Sequence, residues 1–193
     1  MGPNVYPPAS LLPPSTFQHP AETYYAAMHA LALRILDLIA ATLPHGPHIF
    51  DAFIAPTPAA PLRLLHYPPA QPTAKRQLGA SAHTDFGAIT LLLQDEHAGL
   101  EVQDPGSGDW AGVAPDPAAY VVNVGDMLQM WTGGEYRSSV HRVVNRGGDR
   151  YSVVFFFDGN LDCRLGRLGA EGGGEAVTVE EHMVERMRTS YGK

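Results

Sequence analysis

Three short segments of this 193-residue chain carry side chains that could act together on a metal ion and an anion. The first is His83-Thr84-Asp85. In an extended strand residues i and i+2 project from the same face, so imidazole and carboxylate would converge on one point, as a shared ion requires. With 9 histidines and 20 acidic residues present, such a pair also arises readily by accident, and a plain surface His–Asp pair is the alternative. The second is His141, 56 residues beyond Asp85 and flanked by Val140 and Val143-Val144. It either points inward or serves as a structural or solvent-facing histidine. Two histidines and one carboxylate form the facial set that holds non-haem Fe(II) and leaves positions open. The third is Arg150-Tyr151-Ser152, in which Arg150, Ser152, Val154 and Phe156 share one strand face. An arginine facing an apolar interior is costly without an anion, and its planar fork suits a carboxylate, to which Ser152 adds a hydroxyl donor. The alternative is that Arg150 meets solvent just after the Gly147-Gly148-Asp149 turn.

The elements that must position these groups are short strands. From residue 61 onward the candidates are Leu62–His66, Gly79–Asp85, Ala88–Leu93, Leu100–Gln103, Trp110–Val113, Tyr120–Val124, Met127–Trp131, Ser139–Asn145 and Arg150–Asp158. Turn signals separate them at the spacing of a sandwich or barrel. Before them, residues 21–43 read as one helix: Tyr24, Met28, Leu31, Ile35, Leu38 and Ile39 mark an apolar face, Pro20 suits the first turn, and Pro44 with Gly46 ends it. This helix is expected to pack on a sheet as a scaffold. Residues 1–20, with six prolines, read as an extended arm, residues 166–176 as a flexible loop, and residues 177–190 as a short C-terminal helix.

Composition supports one globular domain over 1–193, with a core at 61–160. The 20 glycines and 17 prolines argue against a helical bundle, and 45% hydrophobic residues argue against disorder. A net charge of −7 with scattered Lys and Arg disfavours nucleic acid. The single Cys163 forms no internal disulfide, residues 1–20 lack the plan of a signal peptide, and no uncharged apolar run is long enough to span a bilayer. The expectation is a cytoplasmic protein with no membrane partner.

In order and spacing these segments resemble the Fe(II)- and 2-oxoglutarate-dependent dioxygenases, in the branch that includes isopenicillin N synthase. The likeness rests on LRLLHYPP (62–69), AHTDFGAITLLLQD (82–95), GLEVQD (99–104), VVNVGDMLQMWTGGEYRSSVHRVVN (121–145) and RYSVVFFFDGN (150–160), and runs more weakly through GPNVYP (2–7) and VTVEEHMVERMRTSY (177–191). It implies a mainly β fold: a double-stranded β-helix, or jelly-roll, with the long helix packed outside. It implies Fe(II) on His83, Asp85 and His141, and 2-oxoglutarate as co-substrate held by Arg150, Ser152 and Tyr67. O2 would oxidise a small organic substrate, as in secondary metabolism, with release of succinate and CO2. Leu91, Leu93, Met130 and Phe156 are candidate apolar liners of the substrate pocket, with core filling as the alternative for each. The alternatives to this activity are an isopenicillin N synthase-like oxidase that does not use 2-oxoglutarate, and a metal-binding protein without turnover. Relatives carry a further region before the stretch matching GPNVYP. The surface it covers is expected to be shielded here by a second copy of the chain, in a homodimer, or by the Pro-rich arm.

Overall fold

The computed structural model describes residues 4–69, 78–166, 168 and 177–191. In chain order its elements are α1 (Gln18–Thr42), α2 (Asp51–Ile54), β1 (Leu62–Tyr67), β2 (Leu78–His83), β3 (Ile89–Gln94), β4 (Leu100–Gln103), β5 (Trp110–Gly112), β6 (Tyr120–Val124), α3 (Asp126–Trp131), β7 (His141–Val144), β8 (Arg150–Phe157), β9 (Arg164–Leu165), β10 (Val177–Thr178) and α4 (Val179–Tyr191). Two four-stranded antiparallel sheets, ordered β1-β8-β3-β6 and β2-β7-β4-β5, make the jelly-roll, and β9 pairs with β10 beside them. The expected loop at 166–176 lies almost wholly outside the described residues.

Register decides which side chains see the interior, because directly opposed residues of an antiparallel pair share a face. In the first sheet Tyr67, Leu65 and Arg63 of β1 stand opposite Arg150, Ser152 and Val154 of β8. Gln94, Leu92 and Thr90 of β3 stand opposite Ser152, Val154 and Phe156. Val121 and Asn123 of β6 continue the same face. The other face meets the helices: Tyr25 of α1 lies edge-on to Phe155 at 5.4 Å, and His29 and Phe53 pack on Phe157. Met28, Ala32, Leu36, Ile39 and Ala40 of α1 are buried there. By length and composition α1 is apolar enough to cross a bilayer, the one such helix among the described residues. In the fold Met28 and Ile39 of the expected face are buried with Ala32, Leu36 and Ala40, whereas Leu38, expected on the same face, is 69% exposed.

Met127–Trp131, expected as a strand, is instead the helix α3. A five-residue, mostly apolar segment cannot be assigned by periodicity. Here the backbone leaves β6 at Gly125, and Asp126 N–H donates to the carbonyl of Asp85, which turns the chain into a helical start. Trp131 then packs between Phe50 and Phe53.

Candidate active site

His83 ends β2, His141 opens β7, and the two are paired across the strands with ring centroids 4.3 Å apart. Asp85 lies just past the end of β2 rather than within an extended strand, yet its carboxylate still turns to the same point. Its Oδ1 is 3.9 Å from His83 Nε2 and 3.7 Å from His141 Nε2. Those separations are too long for hydrogen bonds and short enough for one ion between metal–ligand bonds of about 2.1 Å. One ligand atom from each of the three residues lies within 4.8 Å of the others.

Neighbouring groups fix these donors. His83 Nδ1–H donates to the Ser81 carbonyl at 2.7 Å, and His141 Nδ1–H donates to the Ser139 carbonyl at 3.0 Å. A carbonyl only accepts, so in the neutral rings both Nε2 lone pairs face Asp85. Asn123 Nδ2 donates to Asp85 Oδ2 at 2.6 Å, leaving Oδ1 toward the histidines. Asp85 is 6% exposed, against 42% for the His83 side chain, so the cluster is reached from the His83 side.

Arg150 and Ser152 are buried at the other end of the interior face. Arg150 Nη2 donates to Gln94 Oε1 at 2.9 Å, whereas Arg150 Nε and Nη1 and Ser152 Oγ have no hydrogen-bond partner among the described residues. The Tyr67 ring lies 5.0 Å from the guanidinium. Gly99 gives the arginine its room: a Cβ there would meet Arg150 Cδ at 3.2 Å and the Val144 carbonyl at 2.9 Å. A buried cation with two idle donors is expensive, and an anion with two acceptors would offset that cost. These residues therefore fit a carboxylate ligand on structural grounds.

The candidate pocket liners divide. Phe156 is on the interior face. Leu91 and Leu93 are not, since they stand opposite Phe155 and Val153 and face the helix side. The nearly unbroken apolar run ITLLL hides the alternation, and the interior residue is Leu92. Met130 sits on α3 with 39% of its surface exposed.

Sequence reasoning missed a clamp on the loop after β2. Arg186 of α4 pairs with Asp126 at 2.6 Å and donates to Thr84 Oγ1 at 3.0 Å, while Thr84 donates to Asp126 at 2.9 Å. The same guanidinium lies over the Phe86 ring, and His182 donates to the Phe86 carbonyl at 3.0 Å. Burial pushes the His182 pKa down, which keeps the ring a neutral donor. Arg186→Ala is expected to weaken metal binding by about tenfold, the low end for a group supporting ligands from behind, with a lowered Tm. Titration with Mn(II) checks it.

Asp158 is a second buried carboxyl near the cluster. Burial, with Asp85 as a like-charged neighbour, pushes its pKa up to about 7 despite the opposing pull of Arg63. The folded state then binds more protons than the unfolded one between about pH 4 and 7, so stability falls as pH rises through that window. Asp158→Asn removes the ionisation. The metal-free variant should out-melt the parent at pH 8 and lose that advantage at pH 5, as read by thermal melts at both values.

Two antiparallel sheets with a His-Asp-His cluster and a buried arginine that has no ion pair among the described residues define a metal-binding jelly-roll. The chain belongs to the 2OG-Fe(II) oxygenase superfamily, whose sequence profile matches residues 58–159. It is 60% identical to the 2-oxoglutarate-dependent dioxygenase citB of Monascus ruber over 99% of this chain and 60% of that protein. It is 52% identical to clavatol oxidase claD of Penicillium crustosum over 98% of this chain and 59% of that protein. The crystal structure of a full-length Neurospora crassa protein in complex with alpha-KG superposes with a TM-score of 0.85 at 29% identity, covering 96% of this chain and 61% of that one. The chain thus spans about three fifths of the length of these curated relatives.

Proposed function

We propose that this chain forms the catalytic core of an Fe(II)- and 2-oxoglutarate-dependent oxygenase acting on a small organic molecule. The observation that carries the reading is the pair of idle donors on buried Arg150, joined by Ser152 Oγ, on the interior face that also holds Asn123 against Asp85. His83 Nε2, Asp85 Oδ1 and His141 Nε2 would hold the metal, and Arg150 with Ser152 would hold the distal carboxylate of 2-oxoglutarate.

When bound, Fe(II) would couple oxidative decarboxylation of 2-oxoglutarate, to succinate and CO2, with oxidation of the substrate by O2. The chain's own residues bind and orient. The Ser81 and Ser139 carbonyls set the histidine tautomers, and Asn123 aims the carboxylate. The Arg150 fork fixes one end of the co-substrate, and Leu92, Val154 and Val121 wall the interior against water. The curated relatives named as 2-oxoglutarate-dependent dioxygenases support the co-substrate, and the one named for clavatol supports a small organic substrate.

Anaerobic addition of Fe(II) and 2-oxoglutarate tests the reading. A weak visible charge-transfer band is expected, followed in air by succinate formation with O2 uptake. A folded protein that binds Fe(II) but takes up no 2-oxoglutarate would overturn it and leave the oxidase alternative.

A further inference from the structure

Among the described residues, the buried Arg150 is held by an amide and not by an acid. Its Nη2 donates to Gln94 Oε1 at 2.9 Å, and the ring beside it, Tyr67, is neutral as well. An arginine only donates, so the amide atom that meets it is the oxygen. Gln94 ends β3 opposite Ser152 of β8 and is as deeply buried as Arg150. Arg150 Nε and Nη1 remain idle.

The two acids next to this pair in the chain are engaged elsewhere. Asp95, which follows Gln94, accepts from the Tyr151 backbone N–H at 2.7 Å and bonds to His97 Nδ1 at 3.1 Å. Asp149, which precedes Arg150, bonds to His66 Nε2 at 2.6 Å. His66 stands opposite Tyr151, one residue out of step with the Tyr67–Arg150 pair, and so projects from the other face of the sheet. Two carboxylates thus lie next in sequence to a buried amide–arginine pair, and both are bound away from it. Gln94→Glu, nearly identical in shape, would complete an ion pair within the protein, and the chain instead leaves the cation uncompensated.

Resting on the oxygenase reading, we propose that Gln94 is the positioning residue that sets charge selection at the co-substrate end. Its oxygen holds Nη2, and with it the plane of the guanidinium, so a ligand meets donors that are already oriented. Because the holder is neutral, the full positive charge is left for the ligand's distal carboxylate. An acid in the same place would hold the fork equally well, but it would neutralise the cation and repel a dianion.

The test uses the full chain loaded with Mn(II) under anaerobic conditions. Titration calorimetry compares 2-oxoglutarate with 5-methyl-2-oxohexanoate, in which an isopropyl group replaces the distal carboxylate. The parent is expected to prefer 2-oxoglutarate by at least about a hundredfold. Gln94→Glu should erase most of that preference by weakening 2-oxoglutarate about a hundredfold, with Mn(II) affinity and binding of the isopropyl compound unchanged. Without ligand it should melt no earlier than the parent, because the buried cation gains a partner. Gln94→Met removes the acceptor and adds no charge. It should weaken 2-oxoglutarate by about tenfold while leaving the isopropyl compound unchanged, and it decides the matter if Gln94→Glu does not fold. Undiminished 2-oxoglutarate affinity in either variant would overturn the proposal. So would an equal loss of both compounds in a folded variant, which is what a merely structural role predicts. Failure of the oxygenase reading is visible separately, as absent 2-oxoglutarate binding in the parent. The ligand-free melts then decide the role of Gln94 alone, and a Gln94→Glu protein that melts below the parent counts against it.

Discussion

Asp85→Ala is expected to lower Fe(II) or Mn(II) affinity by more than about a hundredfold. Partners that merely support ligands are worth about ten- to a hundredfold, and a ligand is worth more. The loss should exceed that of Asn123→Ala, which removes the 2.6 Å bond that aims the carboxylate but keeps the carboxylate itself. His83→Ala should resemble Asp85→Ala, because both take one of three donors from the same point. Folding gives no competing explanation for Asp85. Its carboxylate is buried beside a second acid, Asp158, so deleting it relieves like-charge repulsion in the metal-free protein. The expected result is therefore a variant that melts no earlier than the parent without metal and gains nothing from Mn(II). Titration calorimetry and melts with and without Mn(II) read both, and undiminished affinity in both ligand variants would remove the assignment.

What the sequence makes legible follows from how local each signal is. His83, Asp85, His141, Arg150 and Ser152 carry unusual chemistry for their setting, and each can be found from its immediate neighbours. The helix at 18–42 is legible because its apolar face repeats over many turns. Strand register is not, where a strand is apolar on both faces: in ITLLL nothing local says that Leu92, and not Leu91 or Leu93, enters the barrel. That choice is made by pairing with β8, about 60 residues away in the chain. Asn123, Asp126, His182 and Arg186 stay hidden in the sequence for the same reason. Each acts across 38 or more residues on the loop after β2, and an asparagine in a strand or an arginine on a polar helix looks ordinary until the partner is seen. The helix α3 reads as a strand in the sequence because its start is set by a backbone bond to Asp85, a tertiary contact with no trace in MLQMW.

Arg150→Met should move two measurements in opposite directions. Truncating one side of a buried charge pair costs about 2–5 kcal/mol, so 2-oxoglutarate affinity should fall by roughly thirtyfold to several thousandfold, with Mn(II) affinity unchanged because no metal donor is touched. In the ligand-free protein the balance reverses. The parent holds Arg150 with only 4% of the residue exposed and two of its donors unpaired among the described residues. An incompletely compensated buried charge costs several kcal/mol, whereas the substitution strands the neutral Gln94 carbonyl, a loss of about 1–3 kcal/mol, and removes the cation from the Tyr67 ring. Methionine fills similar volume without strain, so the Tm without ligand should hold or rise. A general loss of folding lowers both quantities together, and a solvent-facing arginine would change neither by much. Opposite signs arise only if the fold gives up stability to keep Arg150 ready for an anion.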